Sequence, residues 1–127
     1  MSTIVFENAF RRFERDGKSF PALDNVSLTV ADKEFVALVG PSGCGKTTCL
    51  RMAAGFEVPS SGRVLVGGAP VTGPGPDRAV VFQQFALFPW KSVEDNIAFG
   101  LRNRKVPADE RRERIAAAIK LMGLDGY

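Results

Sequence analysis

The segment Gly40-Pro-Ser-Gly-Cys-Gly-Lys-Thr47 constrains this chain more than any other, because three glycines within six residues can only be a tightly wrapped backbone. The residues before it, Phe35 to Val39, are continuously apolar, as expected of a strand covered on both faces. The residues after it, Lys46 to Ala54, suit a helix that Gly55 can close in a left-handed conformation. Strand, glycine-rich turn and helix in that order match the pattern G-x-x-x-x-G-K-[ST] in its required context. Successive N–H groups of such a turn point inward at phosphate oxygens, and the helix adds its positive end. Lys46 would bring a full charge to the outer phosphates. The hydroxyl of Thr47 would take one position on a Mg²⁺ that bridges the last two phosphates, and Thr48 adds a further donor at the helix start. Nucleoside triphosphate binding is the expectation.

Composition narrows the rest. The chain has 127 residues, enough for one domain or part of one, and 45% hydrophobic with 24% charged residues is ordinary for a soluble globular protein. Apolar runs are far short of the ~20 residues that span a bilayer, and Met1 to Glu7 lacks the basic-then-apolar pattern of a signal peptide. Seventeen Lys and Arg against 14 Asp and Glu give a net charge of +3, too weak to imply nucleic acid. There is no histidine, so no mechanism can draw a histidine base, switch or ligand from this chain. Cys44 and Cys49 read as two reduced cytosolic thiols.

Around the glycine-rich turn, further elements are expected. Thr3 to Phe6 and the alternating Val26-Ser-Leu-Thr-Val30 are strands, with a polar turn hinged on Gly17 between them. Arg63 to Val66 is a short strand, Gly73-Pro-Gly-Pro76 an irregular loop, and Ala79 to Phe82 a second buried strand. Ser92 caps a helix with Glu94 and Asp95 in its first turn and Val93, Ile97 and Leu101 on one face. Pro107 opens a last helix with Ile115, Ile119 and Met122 as its apolar stripe, stopped by Gly123. Only Leu124 to Tyr127 follow, and the chain reads as cut rather than finished.

Which phosphate-loop protein this is depends on what surrounds the loop. Thirty-nine residues precede it, whereas small nucleoside kinases carry it almost at the N-terminus, and no Asn-Lys-x-Asp segment reads guanine. Val80-Val-Phe-Gln-Gln-Phe-Ala-Leu-Phe-Pro-Trp90 resembles the glutamine loop of ATP-binding cassette (ABC) transporter ATPases. Gly40 to Thr48 is that family's commonest wording, and Ala22 to Leu28 and Asp95 to Leu101 look like it too. Gly73-Pro-Gly-Pro-Asp-Arg78 and the Phe88-Pro-Trp90 ending are most similar to the nitrate, sulfonate and taurine importer branch.

The resemblance implies an α/β P-loop NTPase fold of the ABC type, incomplete, with an N-terminal antiparallel β subdomain. It implies a β subdomain and P-loop core over 1–91 and the start of a helical subdomain over 92–127. It places ATP and Mg²⁺ on Gly40, Pro41, Ser42, Gly43, Cys44, Gly45, Lys46, Thr47 and Thr48. Phe13 stands where the family sets an aromatic ring against adenine; ordinary packing with Phe10 and Phe20 is the other reading. Gln83 matches the glutamine that reaches Mg²⁺ and the attacking water, with Gln84 the adjacent alternative. Phe85, Phe88 and Trp90 either meet the coupling helix of a membrane partner or close the local core. The basic stretch from Arg102 to Arg114 is a solvated helix face or, less simply, a contact for anionic lipid headgroups.

Three family motifs are absent from the sequence: the Leu-Ser-Gly-Gly-Gln signature, the apolar tetrad followed by Asp-Glu, and the switch histidine. Family order places all three beyond Tyr127. The resemblance therefore implies the ATP-binding subunit of an import system at the inner face of the cell membrane. Its partners would be a transmembrane permease, a second ATP-binding subunit and, indirectly, a solute-binding protein, with no nucleic acid. The chain alone is expected to bind ATP without turning it over. The alternatives are a non-enzymatic nucleotide-binding fragment and a small P-loop kinase.

Overall fold

The computed structural model describes residues 3–84 and 86–126, in two compact units, Met1–Val81 and Phe82–Tyr127. In the first unit, β1 (Ile4–Arg15) and β2 (Lys18–Val30) form a long antiparallel hairpin, much longer than the two short strands expected. Asp16 and Gly17 join them with φ of 52° and 71°. Two positive φ values in a two-residue loop are the turn whose twist matches that of the strands, and Asp-Gly is a preferred pair for it. Asn8 and Asn25 also have positive φ and mark a bulge, bridged by an Asn8 Nδ2 to Asn25 Oδ1 hydrogen bond of 2.9 Å. β3 (Ser61–Val66) pairs with β1, and the short β4 (Ala69–Pro70) pairs with β3, giving an antiparallel sheet in the order β2-β1-β3-β4.

Helix α1 (Lys46–Ala54) packs on this sheet. Its Cys49 and Met52 join Phe6, Ala9, Leu23 and Val64 in the core, with Met52 fully buried. The helix ends at Gly55, φ 84°, where the amides of Gly55 and Phe56 donate to the carbonyls of Met52 and Arg51. That crossed pair is the Schellman motif, which satisfies carbonyls the helix leaves open. Loop 73–78 covers this end. Arg78 donates to the Ala54 carbonyl at 3.4 Å and to the Gly73 carbonyl, and a Cβ on Gly55 would collide with the Gly73 carbonyl.

Two expectations fail. Residues 35–39 and 79–82 form no strand: Phe35 and Val39 are 92% exposed and Val81 97%. An apolar run becomes a buried strand only where neighbours hydrogen-bond to it. Among the described residues, the sheet is built wholly from the antiparallel strands β1–β4.

The second unit pairs α2 (Val93–Asn103) with α3 (Ala108–Leu121). Ser92 caps α2 by accepting the Asp95 amide at 3.1 Å, as expected, and Pro107 opens α3 at φ −54°. Ala98 is buried, while Ile97, Leu101, Ile115 and Ile119 are half-buried. Val93 and Met122 belonged to the expected apolar stripes, yet they are exposed. Two helices alone bury only part of each other's apolar faces, and Val93 lines a cavity with Ile115 and Ile119 that stays open to solvent.

Two outcomes are expected from these contacts. Gly55→Ala forces a left-handed φ and a backbone collision, so it should destabilise the first unit by more than about 1 kcal/mol in denaturant unfolding. Hydrogen bonds from Arg102 and Ser92 hold the Asp95 carboxyl below the usual aspartate range. Their stabilisation of α2 is complete above the unfolded carboxyl's ordinary value of ~3.9 and fades as pH falls below it through the lowered folded value. Helicity followed by circular dichroism should lose this acid-sensitive component in Asp95→Asn.

Candidate functional site

The glycine-rich turn is exposed at the N-terminal end of α1. Gly43 and Gly45 take φ of 81° and 95°, which makes glycine the residue of choice at both. Gly45 is doubly constrained, since a Cβ there would lie 2.5 Å from the Ala22 carbonyl oxygen and 2.6 Å from Leu23 Cδ2 of β2. The first internal bond of the helix runs from the Cys49 amide to the Gly45 carbonyl, 2.9 Å. The amides of Lys46, Thr47 and Thr48 therefore precede the helical ladder and face its open end. Together with the partial positive charge of the helix end, they make a concavity lined by donors.

Lys46 turns back over this concavity. Its Nζ donates to the carbonyls of Gly40 at 2.7 Å and Pro41 at 2.6 Å, and lies 3.5 Å from Cys44 Sγ. The Pro41 carbonyl also accepts the Cys44 amide, at 3.4 Å, and Ser42 is exposed at the rim. Gly40 leaves room for the Cys44 sulfur, which a Cβ would meet at 2.8 Å. A groove of about 400 Å³, whose lining includes Pro21, Ala22, Asp24, Gly43 and Cys44, runs between the loop and β2. Thr47 is exposed and Thr48 half-buried. All nine residues from Gly40 to Thr48 are thus gathered at one helix end.

Phe13 lies on β1 opposite Phe20, near the hairpin tip, and its ring is 38% exposed. The guanidinium of Arg11 lies over it, with Cζ 4.6 Å from the ring centroid. Gln83 and Gln84 are exposed in the second unit, in a bend before α2. Phe85 lies outside the described residues. Phe88 and Trp90 differ in their surroundings. Phe88 packs on Phe99 at 4.7 Å between centroids, whereas Trp90 is 77% exposed. Asn96 holds this turn, accepting the Phe88 amide at 2.8 Å and donating to the carbonyls of Phe88, Lys91 and Ser92. Asn96 has no role in the sequence reading, because its partners are main-chain atoms that carry no sequence signal.

The family described as "ABC transporter" matches residues 23–127. This chain belongs to the ABC transporter family. Among its ABC relatives, the taurine import ATP-binding protein TauB of Chromobacterium violaceum is 57% identical over 108 residues, covering 85% of this chain and 41% of TauB. An uncharacterized ABC transporter ATP-binding protein of Methanocaldococcus jannaschii is 49% identical over 124 residues, covering 98% of this chain and 46% of that protein. Among solved structures, an ATP-binding cassette in a dimeric post-hydrolysis state, bound to ADP and Pi, superposes with a TM-score of 0.79 at 27% identity. That match covers 92% of this chain and 56% of the cassette. The chain spans about half the length of the ABC proteins it matches, and its fold is that of the N-terminal part of an ABC ATPase domain, with an antiparallel sheet on which α1 packs. Among the described residues, no helix is long and apolar enough to cross a membrane.

Both cysteines are free, with Cys44 exposed in the loop and Cys49 buried in the core, where burial also pushes its thiol pKa up. A thiol reagent should therefore label one cysteine in the folded chain and two after denaturation. Mass spectrometry of the peptides should place the first label on Cys44.

Proposed function

We propose that this chain binds MgATP in the Gly40–Thr48 loop as the ATP-binding part of an ABC import system. The observation that carries the reading is the Lys46 ammonium, held at 2.6–2.7 Å from the Gly40 and Pro41 carbonyls of the loop that leads into the unladdered amides at the start of α1. That arrangement supplies donors and positive charge, which suits a polyphosphate tail. Membership of the ABC transporter family and 57% identity to a taurine import ATP-binding protein support the transport role.

The donor set accommodates Mg²⁺ in a limited way. Thr47 offers an exposed hydroxyl at the first turn of α1, a hard oxygen of the kind Mg²⁺ takes. Among the described residues, no group of three or more acidic or thiol side chains could hold a metal. The ion would thus depend on ATP oxygens and water, with Thr47 and Gln83 as the protein's oxygens. Held there, the ion would supply charge neutralisation at the outer phosphates. In the same reading Phe13 stacks on the purine, and the Gln83 carbonyl accepts from the attacking water.

In this proposal the chain is one incomplete ABC-type domain, with the β subdomain and P-loop core over 1–91 and the start of the helical subdomain over 92–127. It works at the inner face of the membrane with a second ATP-binding subunit and a permease, fed indirectly by a solute-binding protein. The exposed Trp90 favours a permease contact on its turn, since exposed aromatics serve as interface anchors. The imported solute is small, of the nitrate, sulfonate or taurine kind. The sequence holds no Leu-Ser-Gly-Gly-Gln segment, no Asp-Glu after an apolar tetrad and no histidine. Without a carboxylate to polarise water, phosphoryl transfer loses most of its electrostatic help, and the chain alone binds without turnover.

Calorimetry with MgATP tests this directly. Lys46→Ala should weaken binding by about 1.5–3 kcal/mol, the range for hydrogen bonds to charged groups. MgATP should also slow alkylation of Cys44 in the native chain, and phosphate release should stay at background. Unchanged affinity in Lys46→Ala would refute the nucleotide site; steady phosphate release would refute the claim of binding without turnover.

A further inference from the structure

Arg11 has no role in the site so far, yet its two contacts link Phe13 to Glu57, which in turn pairs with Arg51 of α1. Its Nη2 donates to Glu57 Oε2 at 2.7 Å, and the other oxygen of Glu57 lies 3.5 Å from Arg51 Nη2. Arg51 is part of α1, the helix whose opposite end carries the phosphate loop. The same Arg11 guanidinium covers the Phe13 ring, Cζ to centroid 4.6 Å. Glu57 keeps only 17% of its side chain exposed, and Arg11 25%, so the carboxylate between the two arginines is less screened than a surface pair. Arg11 Nε is buried without a hydrogen-bond partner. The planar face of the guanidinium is thus given to the ring and one edge to the carboxylate, a division that arginine geometry permits and lysine geometry does not.

A phenylalanine near the tip of a hairpin has rotamer freedom to lose before it can stack on anything. Covering one face with a guanidinium that is itself anchored removes that freedom in advance, and the ring keeps 38% exposure for another contact. We propose that Arg11 is a positioning residue for the purine: fixed by Glu57 and, through it, by Arg51 of α1, it holds Phe13 in the orientation that receives the base. This rests on the reading of Phe13 as the base-stacking ring of the ATP site. It adds that the base contact and the phosphate loop are registered to each other through Glu57.

The test compares MgATP with inorganic tripolyphosphate, which offers the phosphates without a base, by calorimetry on the full chain. Arg11→Met should raise the Kd for ATP about threefold to thirtyfold, the span of cation–π effects, and leave that for tripolyphosphate within about twofold. Phe13→Ala should lose ATP affinity at least as strongly, and adding Arg11→Met to it should cost nothing more. Arg11→Lys, which keeps a cation and spares the fold, should show the same ATP-only loss in smaller measure, and serves as the measurement if Arg11→Met does not fold. If Phe13→Ala binds ATP normally, the reading of Phe13 falls and the proposal with it. If Phe13→Ala weakens ATP while neither Arg11 variant does, the proposal alone is overturned. Equal losses for ATP and tripolyphosphate in the Arg11 variants also overturn it, because Arg11 would then act on the fold as a whole.

Discussion

The left-handed bend at Gly45, pressed against the Ala22 carbonyl, is the contact on which the first unit's functional geometry rests. It turns the loop into α1 at one defined point, so the amides of residues 46–48 come out side by side. It also fixes the loop to β2 within van der Waals distance, and β2 is one arm of the hairpin that carries Phe13 on the other. A side chain at this position would push the helix off the sheet and open the core around Met52 and Leu23. Site and core are therefore one construction: the packing that buries α1 is the packing that aims its N-terminus.

What could be read from the sequence was what neighbouring residues decide among themselves. The span of α1, the Gly55 closure, the Ser92 cap and the Pro107 start all depend on residues within one turn of each other. The glycine-rich loop belongs to the same class, since its conformation is written in its own φ angles. Residues 35–39 and 79–82 form no strand despite their apolar content, because a strand is a relation between segments, and hydrophobic content alone does not supply the partner. The Arg11–Glu57 pair spans 46 positions in sequence and had no local trace. One signal was available: Arg11 and Phe13 are two apart on a strand, a spacing that puts both on one face.

The two units use different means to hold their loops. In the first, main-chain geometry does most of the work, through the Schellman end of α1 and loop 73–78 laid against it. In the second, one amide side chain, Asn96, gathers the main chain from Phe88 to Ser92. An amide with both donors and an acceptor suits that task, because it matches carbonyls and N–H groups at once. The turn that displays Trp90 is thereby kept in shape without a large core beneath it, which an exposed aromatic needs if it is to present a fixed surface.

Lys46, engaged with the carbonyls of Gly40 and Pro41, has a consequence for selectivity in the proposed site. Any anion that enters must draw the ammonium away from two good acceptors before gaining its full attraction. Chloride offers a single charge and orthophosphate fewer oxygens than a triphosphate, so each would regain less in that exchange. A chain of linked phosphates touches the amides and the ammonium together and recovers the loss. In the proposed site this exchange would favour a long, highly charged guest over small anions.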